Sequence, residues 1–195
     1  MSTRSARPAF RLITALGALT LFSLISTSKA VLAYDFSGTT LGEPTWNRPL
    51  EDLSALSSAG TNVSYSVFNF TVSASGNYDF LSTGNNPSGW DNFTFLYKDS
   101  FNSSTPLINA LYGNDDYLGT TGISGIDQVP LTANTQYYYV TTGWADSDLG
   151  TFMNSINGPG AILAVPEASS GMLTLAGLAL LGACLRRRRS NRVCA

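Results

Sequence analysis

Along residues 34–163 apolar and polar positions alternate in short runs, and no stretch keeps the three-to-four spacing of an amphipathic helix. Phe68, Phe70 and Val72 fall on one face of an extended segment over residues 65–72. After a Ser75-Gly76-Asn77 turn, Tyr78 and Phe80 resume the alternation, which is the pattern of a β-hairpin. Phe93, Phe95 and Tyr97 share a face over 92–97, and strands are expected over 135–142, around Tyr137, Tyr138, Tyr139 and Val140, and over 151–157. The Gly/Asn/Pro/Asp clusters at 84–89, 114–116 and 157–160 mark loops, and 51–59 is expected to hold a helical turn. About 130 residues of this kind predict an all-β fold, a single antiparallel β-sandwich with one core.

Two long apolar runs break the alternation, one near each end. Arg4, Arg7 and Arg11 precede an apolar run over 12–25, which gives way to small and polar residues, the order of a secretory signal peptide. As a helix that run rises only about 21 Å, short of the roughly 30 Å hydrocarbon core, so a permanent anchor is disfavoured. Val31 and Ala33 suit the positions read by signal peptidase, which places cleavage between Ala33 and Tyr34, with Val31 as the second choice of mature start. At the other end Val165-Pro166-Glu167-Ala168 precedes an apolar segment over 169–185 and then Arg186, Arg187, Arg188 and Arg189. The segment spans roughly 26 Å as a helix once the arginines snorkel to the headgroups, and the arginines hold its far end in the cytoplasm. The chain therefore divides into a signal helix (1–33), an exported domain (34–163) and a tail (164–195) with a transmembrane helix.

The motif, the apolar helix and the basic cluster, in that order over 165–189, resemble the PEP-CTERM sorting signal of Gram-negative bacteria. Ala168 stands where the name-giving motif has a second proline. The resemblance implies recognition by exosortase, an integral-membrane cysteine transpeptidase, followed by release or transfer of the substrate. Its implied itinerary is an inner-membrane-anchored precursor, then the cell surface or extracellular matrix.

Composition narrows the function of the exported part. Between Tyr34 and Glu167 only Arg48 and Lys98 are basic against thirteen acids, a formal charge of −11, which repels nucleic-acid phosphates and argues against nucleic-acid binding. Both cysteines, Cys184 and Cys194, lie in the tail, so the exported domain holds no disulfide. Histidine is absent, which excludes Ser-His-Asp and Cys-His nucleophile systems and His-ligated metals. An aromatic strand ending in Leu96-Tyr97, the loop residues Asn114-Asp115-Asp116, a Leu131-x-x-x-Thr135 turn into a Tyr-rich strand and a last strand containing Gly150 resemble the bacterial pre-peptidase C-terminal-like family. That resemblance implies a jelly-roll-like sandwich of non-catalytic, accessory type, and some related collagen-binding modules take calcium. Here no enzyme domain accompanies it.

Within the domain, Asp115 and Asp116, with Asn114 and with Asp91, Asp146 or Asp148 from other loops, offer the all-oxygen shell that calcium prefers, and calcium is the one cofactor suggested. Asn and Asp also favour turns by bonding their own backbone, the plainer account of the same residues. Adjacent acids on one turn point apart, whereas glycoside hydrolysis needs carboxylates about 5–9.5 Å apart across a sugar. Lys98 has no recognisable nucleophile motif around it. Trp90 and Trp144, beside loop residues, are candidates for stacking on sugar rings of an exopolysaccharide, and burial is the commoner fate of tryptophan. The sequons at Asn62, Asn69, Asn92 and Asn102 read as strand and turn residues. The sequence thus points to a non-catalytic, acidic, exosortase-sorted sandwich for adhesion or matrix structure, with a calcium- or carbohydrate-dependent module as the alternative and a small secreted hydrolase as a third reading.

Overall fold

The computed structural model describes residues 31–88 and 90–166. Among them lie ten strands: β1 (Leu32–Thr39), β2 (Thr45–Trp46), β3 (Val63–Val72), β4 (Gly76–Asn86), β5 (Asn92–Lys98), β6 (Ala110–Asn114), β7 (Ile123–Leu131), β8 (Tyr137–Gly143), β9 (Thr151–Gly158) and β10 (Ile162–Ala164), with one 3-10 turn at Tyr117–Gly119. They form two antiparallel sheets, β1-β9-β4-β7 and β10-β3-β8-β5-β6, with β2 also paired to β3. The pairs are nested: β5 with β6, β4 with β7, β3 with β8 and β1 with β9. One long ribbon, closed at the β5–β6 end, is thus rolled over on itself, the interleaving of a jelly roll.

Period-2 alternation sends successive side chains to opposite faces, and here both faces of the larger sheet are covered. Phe70, Val72, Leu96, Tyr137 and Tyr139 point between the sheets and meet Tyr78, Phe80, Val129, Leu131 and Ile156 of the smaller sheet. Val63, Phe93, Phe95, Tyr97 and Val140 point the other way and pack under Trp46 and the half-buried Phe101. Six of the seven residues of β5 are buried as a result. The cover is pinned to the sheet by hydrogen bonds: Trp46 Nε1 donates to Thr142 Oγ1 at 3.1 Å and Tyr97 Oη donates to the Pro106 carbonyl at 2.7 Å.

A polar belt crosses the middle of the inter-sheet layer. Register aligns Ser124, Ser82 and Asn154 across the smaller sheet and Thr94, Thr141 and Ser66 across the larger one. The rows are stitched together. Asn92 Nδ2 donates to Ser82 Oγ at 2.8 Å, the Thr94 and Ser124 hydroxyls meet at 2.6 Å, and Asn154 Nδ2 donates to Thr141 Oγ1 at 3.0 Å. Thr94, Ser124, Ser82 and Asn92 are fully buried, so these bonds offset groups that would otherwise be desolvated without partners.

Several expectations change. The turn at 75–77 does not close a hairpin: β3 and β4 belong to different sheets, so the connection crosses between layers. Alternation alone cannot distinguish the two, because an apolar face is needed in either case. Residues 84–86 continue β4 and are not loop. Residues 51–59 hold turns and a Pro49–Leu56 bridge in place of a helical turn, with Asp52 Oδ1 accepting from the Ser54 N–H and hydroxyl. The strands β1, β2, β6, β7 and β10 lie outside the segments expected as strands from alternation; β1 includes Ala33 and Tyr34, the pair on either side of the expected signal cleavage. The signal helix and the C-terminal helix fall mainly on 1–30 and 167–195, outside the described residues. Among the described residues no helix is long and apolar enough to cross a membrane.

Phe70 is fully buried, 5.7 Å from the rings of Phe68 and Tyr137, whereas Leu81 is 37% exposed. Phe70→Ala is expected to lower the unfolding free energy by about 3–5 kcal/mol in urea titration. Leu81→Ala should change it by less than about 1 kcal/mol.

Candidate functional site

The β5–β6 hairpin sets the site. Its register pairs Thr94 with Asn114, so the residues entering β5 lie beside those leaving β6. One carboxylate oxygen from each of Asp91, Asp115 and Asp116 comes within 4.8 Å of the others. Asp91 Oδ1 and Asp115 Oδ1 are buried and have no hydrogen-bond partner among the described residues. Three hard oxygens from side chains this close suit a shared cation or a shared proton.

Asn114 does not join them with its side chain. Its Oδ1 accepts from the Gly125 N–H at 2.8 Å, and its Nδ2 donates to Glu51 Oε1 at 3.1 Å. Its carbonyl accepts from the Ser124 hydroxyl at 2.6 Å, so Asn114 ties the acidic end to the polar belt.

Arg48 is the counterweight. It is 2% exposed; its Nε and Nη2 donate to the Trp144 carbonyl at 3.0 and 2.7 Å, and its guanidinium carbon stands 4.3 Å from the centre of the Phe93 ring. Gly60 leaves it room, since a Cβ there would lie 2.8 Å from Arg48 Nε. Burial lowers the Arg48 pKa, and the charges of Asp115, Asp91 and Asp148 act against that. Burial pushes the Asp115 carboxyl up from 3.8 to about 7; the charges of Asp91 and Asp116 add to the shift and Arg48 opposes it. Asp91 is raised for the same reasons: burial first, then the charges of Asp116 and Asp148.

The remaining candidates separate. Asp146 accepts from the Asn62 N–H at 2.8 Å and the Thr61 hydroxyl at 3.1 Å, and Asp148 Oδ2 accepts from the Ala145 N–H at 2.9 Å; both hold loops together. Trp90 is not available to a sugar. It is 6% exposed, donates from Nε1 to the Thr151 carbonyl at 2.8 Å, and lies against Gly84 and Gly150, where any Cβ would come within 3 Å of its ring. Trp144 is 43% exposed, and its backbone N–H donates to the Asp91 carbonyl at 2.9 Å, which joins the Trp144 loop to the start of β5. Asn92 is fully buried, out of reach of a glycosyl transfer. Of the sorting motif, Val165 and Pro166 are described and exposed, while Glu167, Ala168 and Arg186–Arg189 lie outside the described residues. The feature not read from sequence is Arg48, which carries no motif and whose role arises only from the ring and carbonyl it meets.

Residues 164–189 match the PEP-CTERM protein-sorting motif. No curated protein matches the chain. Among solved structures, the K3 cleaved adhesin domain of Lys-gingipain from Porphyromonas gingivalis w83 is similar at 12% identity, over 68% of this chain and 91% of that one, with a TM-score of 0.30.

A carboxyl with a folded-state pKa above its unfolded value favours the native state most when protonated. In calcium-free buffer the melting temperature is therefore expected to fall as pH rises from about 4 to about 7, the window set by Asp115. Asp115→Asn should flatten that slope in calorimetric scans, and an unchanged slope would show that Asp115 does not titrate there.

Proposed function

We propose that the chain is an exported substrate of exosortase whose acidic jelly roll serves adhesion or matrix structure at the cell surface, without catalysing a reaction. The junction between domain and signal supports this most directly. The sorting motif begins at residue 164, and Ala164 is also the last residue of β10, paired with Phe70. Val165 still donates to the Asn69 carbonyl at 2.9 Å. The folded passenger therefore runs into its sorting signal with no linker, and processing near Glu167 leaves β10 on the sheet. At the other end β1 begins at Leu32, and Val31 lines a surface cavity with Gly76, Gly158 and Pro159. Of the two candidate starts, Val31 keeps all eight β1–β9 pairings and Tyr34 removes two.

Mass spectrometry of the cell-surface form tests both ends. The expected chain begins at Val31 and ends between Val165 and Glu167, and loss of exosortase should leave a longer, membrane-bound form. An intact tail on the surface protein would reduce the motif to an anchor.

The second reading, a calcium- and carbohydrate-dependent module, draws on the acidic cluster. A divalent cation there would match the two unpartnered carboxylate oxygens, offset the burial that raises Asp115 and relieve the repulsion from Asp91 and Asp116 that adds to it. The exposed Trp144, whose backbone N–H bonds the Asp91 carbonyl, offers a ring face to a sugar of the cell's exopolysaccharide. Calcium is expected to raise the melting temperature at pH 7.5, with the increase lost in Asp115→Asn and Asp116→Asn. Absence of both heat and shift on titrating calcium would eliminate the cation site.

A further inference from the structure

The outer edge of β3 is paired at both ends and open in the middle. Bonding alternates along an antiparallel strand, and on β3 the odd-numbered residues face outward. Ser73 N–H donates to the Ala161 carbonyl at 3.0 Å, the Asn69 carbonyl accepts from the Val165 N–H at 2.9 Å, and Tyr65 N–H donates to the Pro44 carbonyl at 3.0 Å. Val67 is the outward residue between the last two bonds. β10 reaches Phe70 and β2 begins opposite Ser64, so among the described residues no strand pairs with Val67 from that side. A surface cavity of about 410 Å³ lies there, lined by Glu43, Pro44, Tyr65, Ser66, Val67 and Phe101. Open edge groups of this kind are a template for a further strand.

We propose that this slot receives the chain's own sorting motif as a two-residue extension of β10, and that the folded passenger thereby withholds the motif until it is drawn off the edge. The proposal rests on the reading of the tail as an exosortase signal. Continuing the β10 register sets Pro166 opposite Phe68 and Glu167 opposite Val67. Position 166 turns its backbone away from β3, where a residue without an N–H loses no bond, and position 167 turns its N–H and carbonyl toward those of Val67. Cross-strand neighbours share a face, so the Pro166 ring joins Phe68, which is stacked on Phe36 at 4.1 Å. The length fits as well. At the next position, opposite Ser66, the edge is taken up by Glu43 and Pro44 on the way into β2, so the chain must leave the sheet at Ala168. Glu43 also sets the strength: Glu167 brings a second carboxylate to a slot that Glu43 lines, and like charges side by side keep the hold weak enough to be undone.

Hydrogen exchange of the intact precursor in lipid nanodiscs, resolved to single amides, tests the docking without exosortase. The Val67 amide is expected to exchange within about tenfold of the Thr71 amide, which β10 holds through Leu163. Glu167→Pro places a ring where an N–H must meet the Val67 carbonyl, and should speed Val67 exchange by at least about tenfold with Thr71 unchanged. Glu43→Gln, at an exposed position that leaves the fold intact, should slow Val67 exchange and, in pulse-chase labelling of cells, slow removal of the tail. Val67 exchange far faster than that of Thr71 in the wild-type precursor would overturn the proposal. So would protection that survives Glu167→Pro, the mark of burial or of a second copy in the slot, and so would tail removal at an unchanged rate in Glu43→Gln. A tail that is never removed from a precursor with Val67 protected would refute the exosortase reading while the docking stands.

Discussion

A sheet buried on both faces cannot use alternation to keep one side wet, and the central strands β3, β8 and β5 must satisfy that condition throughout. One face is closed by the second sheet. The other is closed by irregular chain, residues 40–62 and 99–109, which must bring its own hydrogen-bond donors and apolar weight. Trp46 and Phe101 supply the weight: their rings lie 5.5 Å apart, and each also packs against Tyr65 and Tyr97. Arg48 supplies the tie, with a planar head that stacks on Phe93 and forks onto one carbonyl at once, a geometry lysine lacks. The domain's single arginine is thereby buried among carboxylates and not spent on the surface.

The acidic cluster follows from the same arrangement. Arg48 is held beneath the cover and offsets part of the repulsion among Asp91, Asp115 and Asp116, while burial keeps Asp115 from ionising as a free carboxyl would. Asn114 and Asn92, the neighbours of two of these acids in sequence, are members of the polar belt or bonded to it. The belt runs inward from the acidic end, so the acidic site rests on buried hydrogen bonds between the sheets. Such groups are rigid when fully matched; within the belt the Asn92 and Asn154 amide oxygens, like the Asp91 and Asp115 carboxylate oxygens beside it, have no hydrogen-bond partner among the described residues.

The nested ribbon also explains how the domain relates to its sorting signal. The first and last long strands, β1 and β9, pair side by side, and β10 adds to the edge of the opposite sheet at β3. Both ends of the fold are therefore committed to sheet edges. The sorting motif takes over at residue 164, the last residue of β10, with no slack between passenger and signal.

The sequence by itself determined the elements whose physics is local. Alternation of Phe68, Phe70 and Val72, and of Phe93, Phe95 and Tyr97, identifies strands because side chains two apart share a face whatever they pack against. The order of motif, apolar run and arginines identifies the sorting signal because it reads without tertiary contacts. The all-β class and the absence of histidine chemistry are legible for the same reason. Which side of the sheet each aromatic row faces was decided only in three dimensions: the Phe70 row looks toward the other sheet and the Phe93 row toward the cover, though in sequence they are alike. The same holds for Trp90 and Trp144, one seated on two glycines and the other left in solvent. It holds for Arg48, whose ring partner Phe93 and forked carbonyl partner Trp144 lie 45 and 96 residues away. Pairing among β1, β3, β8 and β9 is long-range, and a strand's own residues specify a face but not a neighbour, so the jelly roll and the sites it assembles emerge only when the ribbon closes on itself.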